Sequence, residues 1–479
     1  MNKKFYITTS IPYTNAPPHI GFALEIIQAD VLARYHKGLG KDVYFLTGTD
    51  EHGIKTLRIA REAGKDPKQF ADEISEKFKD LTKVLNISNN DFIRTTDEIR
   101  HKPAVEKLWK KLVEAKDIYK KKYKGYYCAG CESFKTEKEI VDGKCTIHLK
   151  PVELVEEENY FFRLSKYNKK LIELIEKGKL EIIPESKKNE TLGMLKQGME
   201  DVSFSRTKDK YWGFEVPGDP SQVMYVWCDA LPNYISAIGY DKEAAQFKKY
   251  WPADVHCIGK DIMKFHTIFW PAMLLSAKIK LPKQIFVHGF INVAGQKMSK
   301  SLGNVIDPFL LVKKYGLPAQ AGVDAVRYYL LREILPTEDG DFTYEKFEQR
   351  YNSDLAGGIG NLVARTLGIA SKAELTKLKP TKKITVKVKE TQKNYTKSIE
   401  NFKFNDALAH VWELISFCDK YVNEEKLWET KNPKVINDLF FAIKEIGILI
   451  EPFLPETAEK IKSAVDNKKS ENLFPRIVK

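Results

Sequence analysis

Two lysines three residues apart, Lys297 and Lys300, sit in a Ser- and Gly-rich string at 295–304 (GQKMSKSLGN). Such a loop suits a phosphate whose charge grows during reaction, because flexible cations can close on it late. The same composition also fits a solvated basic turn. A second stretch, 13–21 (YTNAPPHIG), joins the end of a strand to the start of a helix. Free backbone N–H groups and the positive end of a helix dipole gather at such a junction and bind anions. His19 adds side-chain donors, and Gly21 lets a ligand approach the backbone. The stretch reads as a phosphate-handling edge or as an ordinary strand-to-helix turn, since it has neither a Walker-type nor a GxGxxG glycine pattern.

Cys128, Cys131, Cys145 and His148 form a CxxC pair followed by a CxxH pair. Two such turns can close a tetrahedron around Zn²⁺, and three thiolates with one imidazole leave no open position. The metal would be structural, supplying folding energy to a segment with little core. Chance clustering is the alternative, although three of the chain's six cysteines lie here. Asp50, in the string TGTDEHG at 47–53, could hold a substrate ammonium at the crevice of an α/β sheet or cap the helix that starts near Ile54. Trp428 could stack on an unpaired base or lie in a helical core.

The elements that must position these groups follow from periodicity. Residues 4–12 and 42–46 read as strands, and 21–35 as a helix with Leu24, Ile27, Val31 and Tyr35 at helical spacing. Residues 61–85 are helical and polar, and 100–124 are read as a helix ending in the solvated run Lys120–Lys122 and Lys124. After the cysteine segment come an amphipathic helix at 164–179 and mixed strand-like texture at 201–217. Strands are expected at 223–227, 255–258 and 285–290, with Cys228, Asp229 and Ala230 closing the first, and Asp261 and His266 following the second.

The βα texture stops near 115 and resumes near 220, which predicts one parallel sheet carrying a long insertion. From Tyr344 onward the texture is helical. Phe404, Leu408, Val411 and Ile415 mark a bundle, 373–397 reads as an exposed connection, and the prolines in 448–455 end one helix and start another. The fold class is therefore α/β: a Rossmann-type parallel-sheet domain interrupted by a zinc-knuckle insertion and followed by an all-α bundle. The expected divisions are 1–115 and 221–294 for the two halves of the sheet domain and 116–220 for the insertion. A loop-bearing junction at 295–350 and the helical domain at 351–479 follow.

Bulk properties agree with several domains. At 479 residues the chain is too long for one core, and 43% hydrophobic with 30% charged residues describes a soluble globular protein. A formal charge of +13 favours a polyanionic partner such as RNA or DNA. Lys3 and Lys4 are followed by polar Thr8, Thr9 and Ser10, so there is no signal-peptide core, and no apolar run is long enough to span a bilayer. Sparse cysteines indicate a reducing, cytoplasmic setting.

Together, PPHIG and the downstream KMSKS string resemble the class I aminoacyl-tRNA synthetases. TGTDEHG, the cysteine knuckles, EEENYFFRLS from Glu156, YVWCDAL from Tyr225, GKDIMKFHTIFWPAML from Gly259 and GNLVART from Gly360 narrow the resemblance to the methionyl group of bacterial, single-knuckle type. It spans nearly the whole chain, with the strings in the family's order. It implies methionine activation by attack of its carboxylate on the α-phosphate of Mg²⁺-bound ATP, release of pyrophosphate, and transfer to the terminal ribose of tRNA(Met), initiator included.

By that resemblance His19, Gly21, Gly259, Asp261, Lys297, Met298 and Lys300 contact ATP, and His19, Lys297 and Lys300 act in catalysis. Methionine is held by Ile11, Tyr13, Trp227, Ala230, Tyr234, Ile262 and His266, with Asp50 on its ammonium; sulfur packs well beside aromatic rings. Asn361, Arg365 and Trp428 read the anticodon, and Cys128, Cys131, Cys145 and His148 hold zinc. Homocysteine is an expected competitor, because apolar pockets reject near-isosteres weakly.

Three positions depart from the family pattern. Phe22 replaces the last His of HIGH, Leu427 stands where proline is usual before the anticodon Trp, and 317–322 (LPAQAG) interrupts the usual run after the lysine loop. No further tRNA-binding domain follows Lys479, so a monomer is expected, and no membrane partner. Another class I synthetase, for leucine, isoleucine, valine or cysteine, and a non-catalytic RNA-binding relative are the competing readings; the retained His19, Lys297 and Lys300 speak against the second.

Overall fold

Two aromatic residues followed by two β-branched ones, Phe5 to Thr8, build the strand beside which the sheet order reverses. The computed structural model describes residues 4–128, 130, 133–135, 137–147, 149–209, 211–298, 303–316, 321–370, 378–467 and 472–477. The chain divides into two compact units: Met1–Pro17, Gly40–Asp80 and Asn89–Val287 form the first, and Pro18–Leu39, Leu81–Ser88 and His288–Lys479 the second.

The first unit is organised by a six-stranded sheet. Its strands are β1 (Lys4–Thr8), β2 (Asp42–Thr49), β3 (Asp91–Arg94), β6 (Glu181–Ile183), β7 (Val255–Gly259) and β8 (Gln284–His288), in the spatial order β3-β2-β1-β7-β8-β6. The β1–β2, β2–β3, β1–β7 and β8–β6 pairs are parallel. The order turns back between β1 and β7, and the crevice at the carboxyl ends of strands beside such a reversal is where open α/β sheets bind ligands. Between β1 and β2 the chain runs through helix α1 (Ile20–Gly38) of the second unit, and α2 (Ile54–Glu62) follows β2.

The run Lys120–Lys122 and Lys124 is not helical. The preceding helix, Lys102–Glu114, ends at Ala115, and Lys116 turns the chain with φ of 59°. The lysines then lie on β4 (Ile118–Cys128), antiparallel to β5 (Glu153–Phe162), with Lys122 opposite Glu158 and Lys124 opposite Glu156. Opposite charges across a strand pair stabilise the ladder, which the lysine run read by itself cannot reveal. Lys124 reaches Glu156 at 3.6 Å, and Lys120 pairs with Asp219 at 2.7 Å.

The strand expected at 223–227 is also corrected. Asp219–Met224 is the middle strand of a small antiparallel sheet with Ser205–Thr207 and Glu215–Val216, and the chain then winds into α3 (Val226–Ala230). The N–H groups of Cys228 and Asp229 donate to the Tyr225 carbonyl at 2.8 and 3.1 Å. A short apolar run reads alike in a buried strand and in a buried helical turn. In chain order the parallel sheet therefore resumes at β6, a short edge strand inside the expected insertion, and continues at β7.

The second unit is largely helical: α4 (Ala321–Arg332), α5 (Asn361–Ala370), α6 (Lys382–Glu400), α7 (Phe404–Glu424), α8 (Pro433–Ile450) and α9 (Pro455–Asn467). Phe404, Leu408, Val411 and Ile415 are all buried, and α8 ends and α9 begins around the expected prolines. The exposed connection expected at 373–397 is instead mostly α6; residues 371–377 lie outside the described set. Ile384, Val388, Thr391, Tyr395 and Ile399 recur at helical spacing and are buried among surface lysines.

Asp30 of α1 is fully buried and accepts from Arg327 of α4 at 2.7 Å, from Arg34 at 2.8 Å and from Ser88. Burial alone would raise its carboxyl, but Arg327 and Arg34 hold it below the usual range. Arg327 also donates to the carbonyls of Leu85, Pro452 and Phe453, so one guanidinium ties α1 to the helical bundle. Among the described residues no helix is long and apolar enough to cross a membrane.

Candidate active site

In the first unit the ends of β1, β2 and β7 bring together most of the predicted amino-acid pocket. Beyond β1 the chain stays in register with its neighbours: the Ser10 N–H donates to Cys257 O at 3.0 Å, and Tyr13 bridges Asp50 in parallel. The Asp50 N–H donates to Pro12 O at 2.9 Å, and the Thr14 N–H to Asp50 O at 3.0 Å. Ile11, Tyr13 and Ile262 pack against the core cluster that contains Trp227 and Tyr234. Tyr13 meets Trp227 edge-on at 6.2 Å, and Trp227 meets His266 edge-on at 6.1 Å.

Asp50 does not cap α2. That helix starts after Gly53, with no side-chain cap bond and with φ of 111° at Gly53, where a glycine is favoured. The capping alternative is thus removed, and the carboxylate sits buried just past β2. Its neighbour Glu51 is fully buried and clasped by Arg94 at 2.5 and 2.9 Å, by Thr49 at 2.8 Å and by Thr96.

His266 is placed by a π-helical turn, Phe265–Phe269, a geometry frequent at functional sites. Its Nδ1 lies 3.0 Å from the Ile262 carbonyl, which can only accept, so Nδ1 carries the hydrogen. Its Nε2 lies 2.7 Å from the Tyr234 hydroxyl. Gly259 ends β7 buried, and Asp261 follows in an exposed turn. Phe265, not among the expected pocket residues, stacks on Trp227 at 3.8 Å and 7°. Its position just before His266 was the available signal.

The second unit holds the phosphate-loop candidates. His19 is the N-cap residue of α1, and its Nδ1 accepts from the Gly21 N–H at 3.0 Å. Nδ1 is therefore unprotonated, and the neutral ring carries its hydrogen on Nε2. A Cβ at Gly21 would meet His19 Cε1 at 2.8 Å and Met298 Cε at 3.6 Å. Glycine is thus needed for the resting place of the imidazole, and the two strings meet here: Met298 of the lysine loop lies against the HIG turn. Lys297 is exposed, with its ammonium 5.6 Å from the Phe290 ring centre. Lys300 lies outside the described residues.

Elsewhere in this unit Asn361 and Arg365 lie four apart on α5, and the Arg365 guanidinium sits 5.0 Å from the ring centre of Trp428. Trp428 is 46% exposed, so it is a surface ring and not a core one.

A family model described as tRNA synthetases class I (M) matches residues 5–148 and 135–367, and one described as an anticodon-binding domain of tRNA ligase matches 381–475. A methionine–tRNA ligase of Caldanaerobacter subterraneus subsp. tengcongensis is 45% identical over 100% of this chain and 79% of its own length. The Thermotoga maritima methionine–tRNA ligase is 45% identical over 96% of this chain and 74% of its own. The chain belongs to the methionine–tRNA ligase family of class I tRNA synthetases. A solved structure of Mycobacterium tuberculosis methionyl-tRNA synthetase in complex with methionyl-adenylate superposes with a TM-score of 0.91 at 36% identity, covering 99% of this chain and 100% of that one.

Against the methionine–tRNA ligase pattern, Phe22 is buried and offers no polar group where the family's second histidine is usual. Leu427 is fully buried at the start of the Trp428 turn. Of the interrupting segment 317–322, residues 317–320 lie outside the described set; at Gly322 a Cβ would meet Val312 O at 2.4 Å, so no larger residue fits there.

Of the four knuckle residues, Cys131 and His148 lie outside the described residues. Cys128 ends β4 opposite Ser133, and Cys145 lies opposite Ile140 and enters a tight turn in which the Leu149 N–H donates to its carbonyl at 2.8 Å. Both thiols are buried, whereas Val141, Ile147 and Leu149 around them are exposed. Among the described residues no group of three or more His, Cys, Asp or Glu could hold a metal.

Proposed function

We propose that this chain attaches L-methionine to tRNA(Met) in two steps through a methionyl-adenylate. One observation carries the reading: a carboxylate, Asp50, and an aromatic, sulfur-compatible pocket of Tyr13, Trp227, Tyr234 and His266 gather at the crevice of a parallel sheet in a chain of this family.

In the first step the methionine carboxylate attacks the α-phosphorus of ATP; the new O–P bond forms as the bond to the β-phosphate breaks, and pyrophosphate leaves. The protein supplies no nucleophile, so catalysis is positioning and charge stabilisation. Asp50 holds the ammonium. Ile11, Tyr13, Trp227, Ala230, Tyr234, Ile262 and His266 surround the side chain. The Tyr234 hydroxyl lies 2.7 Å from His266 Nε2, which couples these two members of the pocket. Gly259 and Asp261 take the nucleoside side. His19 offers Nε2–H to the phosphates, with Gly21 holding its ring in place, while Met298 seats the loop that carries Lys297 and Lys300. Mg²⁺ brought in with ATP would offset phosphate charge. In the second step a ribose hydroxyl of the tRNA terminus attacks the carbonyl, and AMP leaves.

Asn361, Arg365 and Trp428 form the anticodon platform, the exposed indole stacking on a base beside a guanidinium. Cys128, Cys131, Cys145 and His148 would hold a structural Zn²⁺. The buried thiols of Cys128 and Cys145 in a segment that exposes its aliphatic side chains fit a metal in place of a core. The enzyme is a cytoplasmic monomer that charges both initiator and elongator tRNA, with domains divided near 115, 220, 294 and 350.

Amino-acid-dependent ATP–pyrophosphate exchange, followed by charging of a CAU-anticodon transcript, tests the activity. Exchange driven by cysteine, leucine, isoleucine or valine instead of methionine would refute it. Elemental analysis of protein purified without added zinc tests the metal, and size exclusion with light scattering tests the monomer.

A further inference from the structure

Asp229 is 1% exposed and lies in α3 between Trp227 and Ala230. Two histidines from distant parts of the first unit converge on it. His52 Nδ1 is 2.5 Å from Oδ2, and His101 Nε2 is 3.2 Å from Oδ1 and 2.9 Å from the Asp229 carbonyl. Both rings are buried, at 4% and 0% exposure. A carboxylate and a carbonyl can only accept, so each facing nitrogen carries a hydrogen. His101 Nδ1 lies 2.8 Å from the Ser236 hydroxyl, which itself donates to the Asn233 carbonyl at 3.2 Å. His52 is packed edge-on by Trp212 at 4.9 Å and Phe214 at 4.7 Å, and the next residue, Gly53, donates its N–H to Trp212 O at 2.9 Å.

The cluster joins two segments that carry the pocket. His52 is two residues from Asp50, and Asp229 is flanked by pocket residues. We propose that the His52–Asp229–His101 clamp is a positioning device for amino-acid selection: it sets the span between the ammonium-holding loop and the helix that bears Trp227 and Ala230. A ligand held at both ends is recognised by that span, and a shift of about 1 Å in such a site costs as much as a lost contact. Burial alone would push the Asp229 carboxyl up, but the two imidazoles hold it below the ordinary range, which keeps it the acceptor that both rings require. The inference rests on the proposed methionine activity.

The test uses the full chain with His52→Phe, which keeps ring packing but removes the donor, and His52→Asn, which restores an N–H near the Nδ1 position. Methionine binding is followed by intrinsic tryptophan fluorescence without ATP, and exchange kinetics give KM for methionine and for ATP separately. His52→Phe is expected to raise the methionine Kd and KM about tenfold with kcat and the ATP KM within about twofold, and His52→Asn to recover most of that loss. His101→Phe should move the same constants in the same direction. An unchanged methionine KM in His52→Phe overturns the proposal. So does parallel loss of methionine and ATP affinity with a lowered melting temperature and no recovery in His52→Asn, which makes the cluster a stability element. Wild-type protein that exchanges with another amino acid refutes the activity reading instead, and the same comparison run with that amino acid then decides the clamp.

Discussion

The proposed amino-acid pocket of the first unit and the proposed phosphate turn of the second are built on opposite plans. In the pocket Asp50, Trp227, Ala230, Tyr234 and His266 are all buried, and the flanking Glu51 and His52 are each clamped by named partners. At the phosphate turn His19 and Lys297 are exposed, and glycine leaves the imidazole its room. A ligand selected by shape needs groups that do not move. A phosphate whose charge develops during reaction is served by cations that arrive late. The contrast stops at the tip of the second unit, because the helix behind His19 is anchored by the buried Asp30–Arg327 pair.

The comparison can be broken most directly at that anchor. Arg327→Ala leaves Asp30 buried without its main cation, and a loss of about 3–5 kcal/mol is expected in chemical denaturation; a change under 1 kcal/mol would show that the second unit does not depend on it. Next in size, Lys300→Ala should lower kcat for pyrophosphate exchange by about 10²–10³-fold while leaving methionine binding and tRNA binding in place. Unchanged exchange would remove the late-closing role.

Trp428→Ala should weaken tRNA binding by about 1–3 kcal/mol and leave tRNA-independent exchange untouched, as measured by filter binding beside exchange assays. The smallest effect is in pH dependence. Burial pushes the Asp419 carboxyl up to about 6, with Arg365 opposing the rise. The folded state therefore favours the protonated acid, so this contribution is complete below pH about 4 and is lost as pH rises through about 6. Asp419→Asn mimics the neutral form. Its melting temperature should match wild type below pH 4 and exceed it above pH 6; the reverse order would overturn the assignment.

The placement of much of the proposed pocket was legible because its residues come in short strings whose strand ends are local. TGTDEHG places Asp50 just past β2, and the stretch after β7 places His266 on the next turn. The anchor was not legible: Asp30 and Arg327 are 297 residues apart, and neither stands out in its own helix. The same holds for His52 and Asp229, 177 residues apart. The lysine run misled because its partners, Glu156 and Glu158, sit on another strand. In α6 the lysines and threonines masked an apolar stripe that the periodicity did contain.

By itself the order of residues determined the class of fold and the family, and it singled out the strings proposed here to handle phosphate and amino acid, since these depend on local spacing that survives without knowledge of distant contacts. Only the tertiary structure decided which partners the ring nitrogens of His19 and His266 face, that Asp50 does not cap α2, that Trp428 is a surface ring, and which histidines grip Asp229. Each of those is a hydrogen bond or an exposure set by a partner far away in the chain, and no local pattern records the distance across which two such groups will meet.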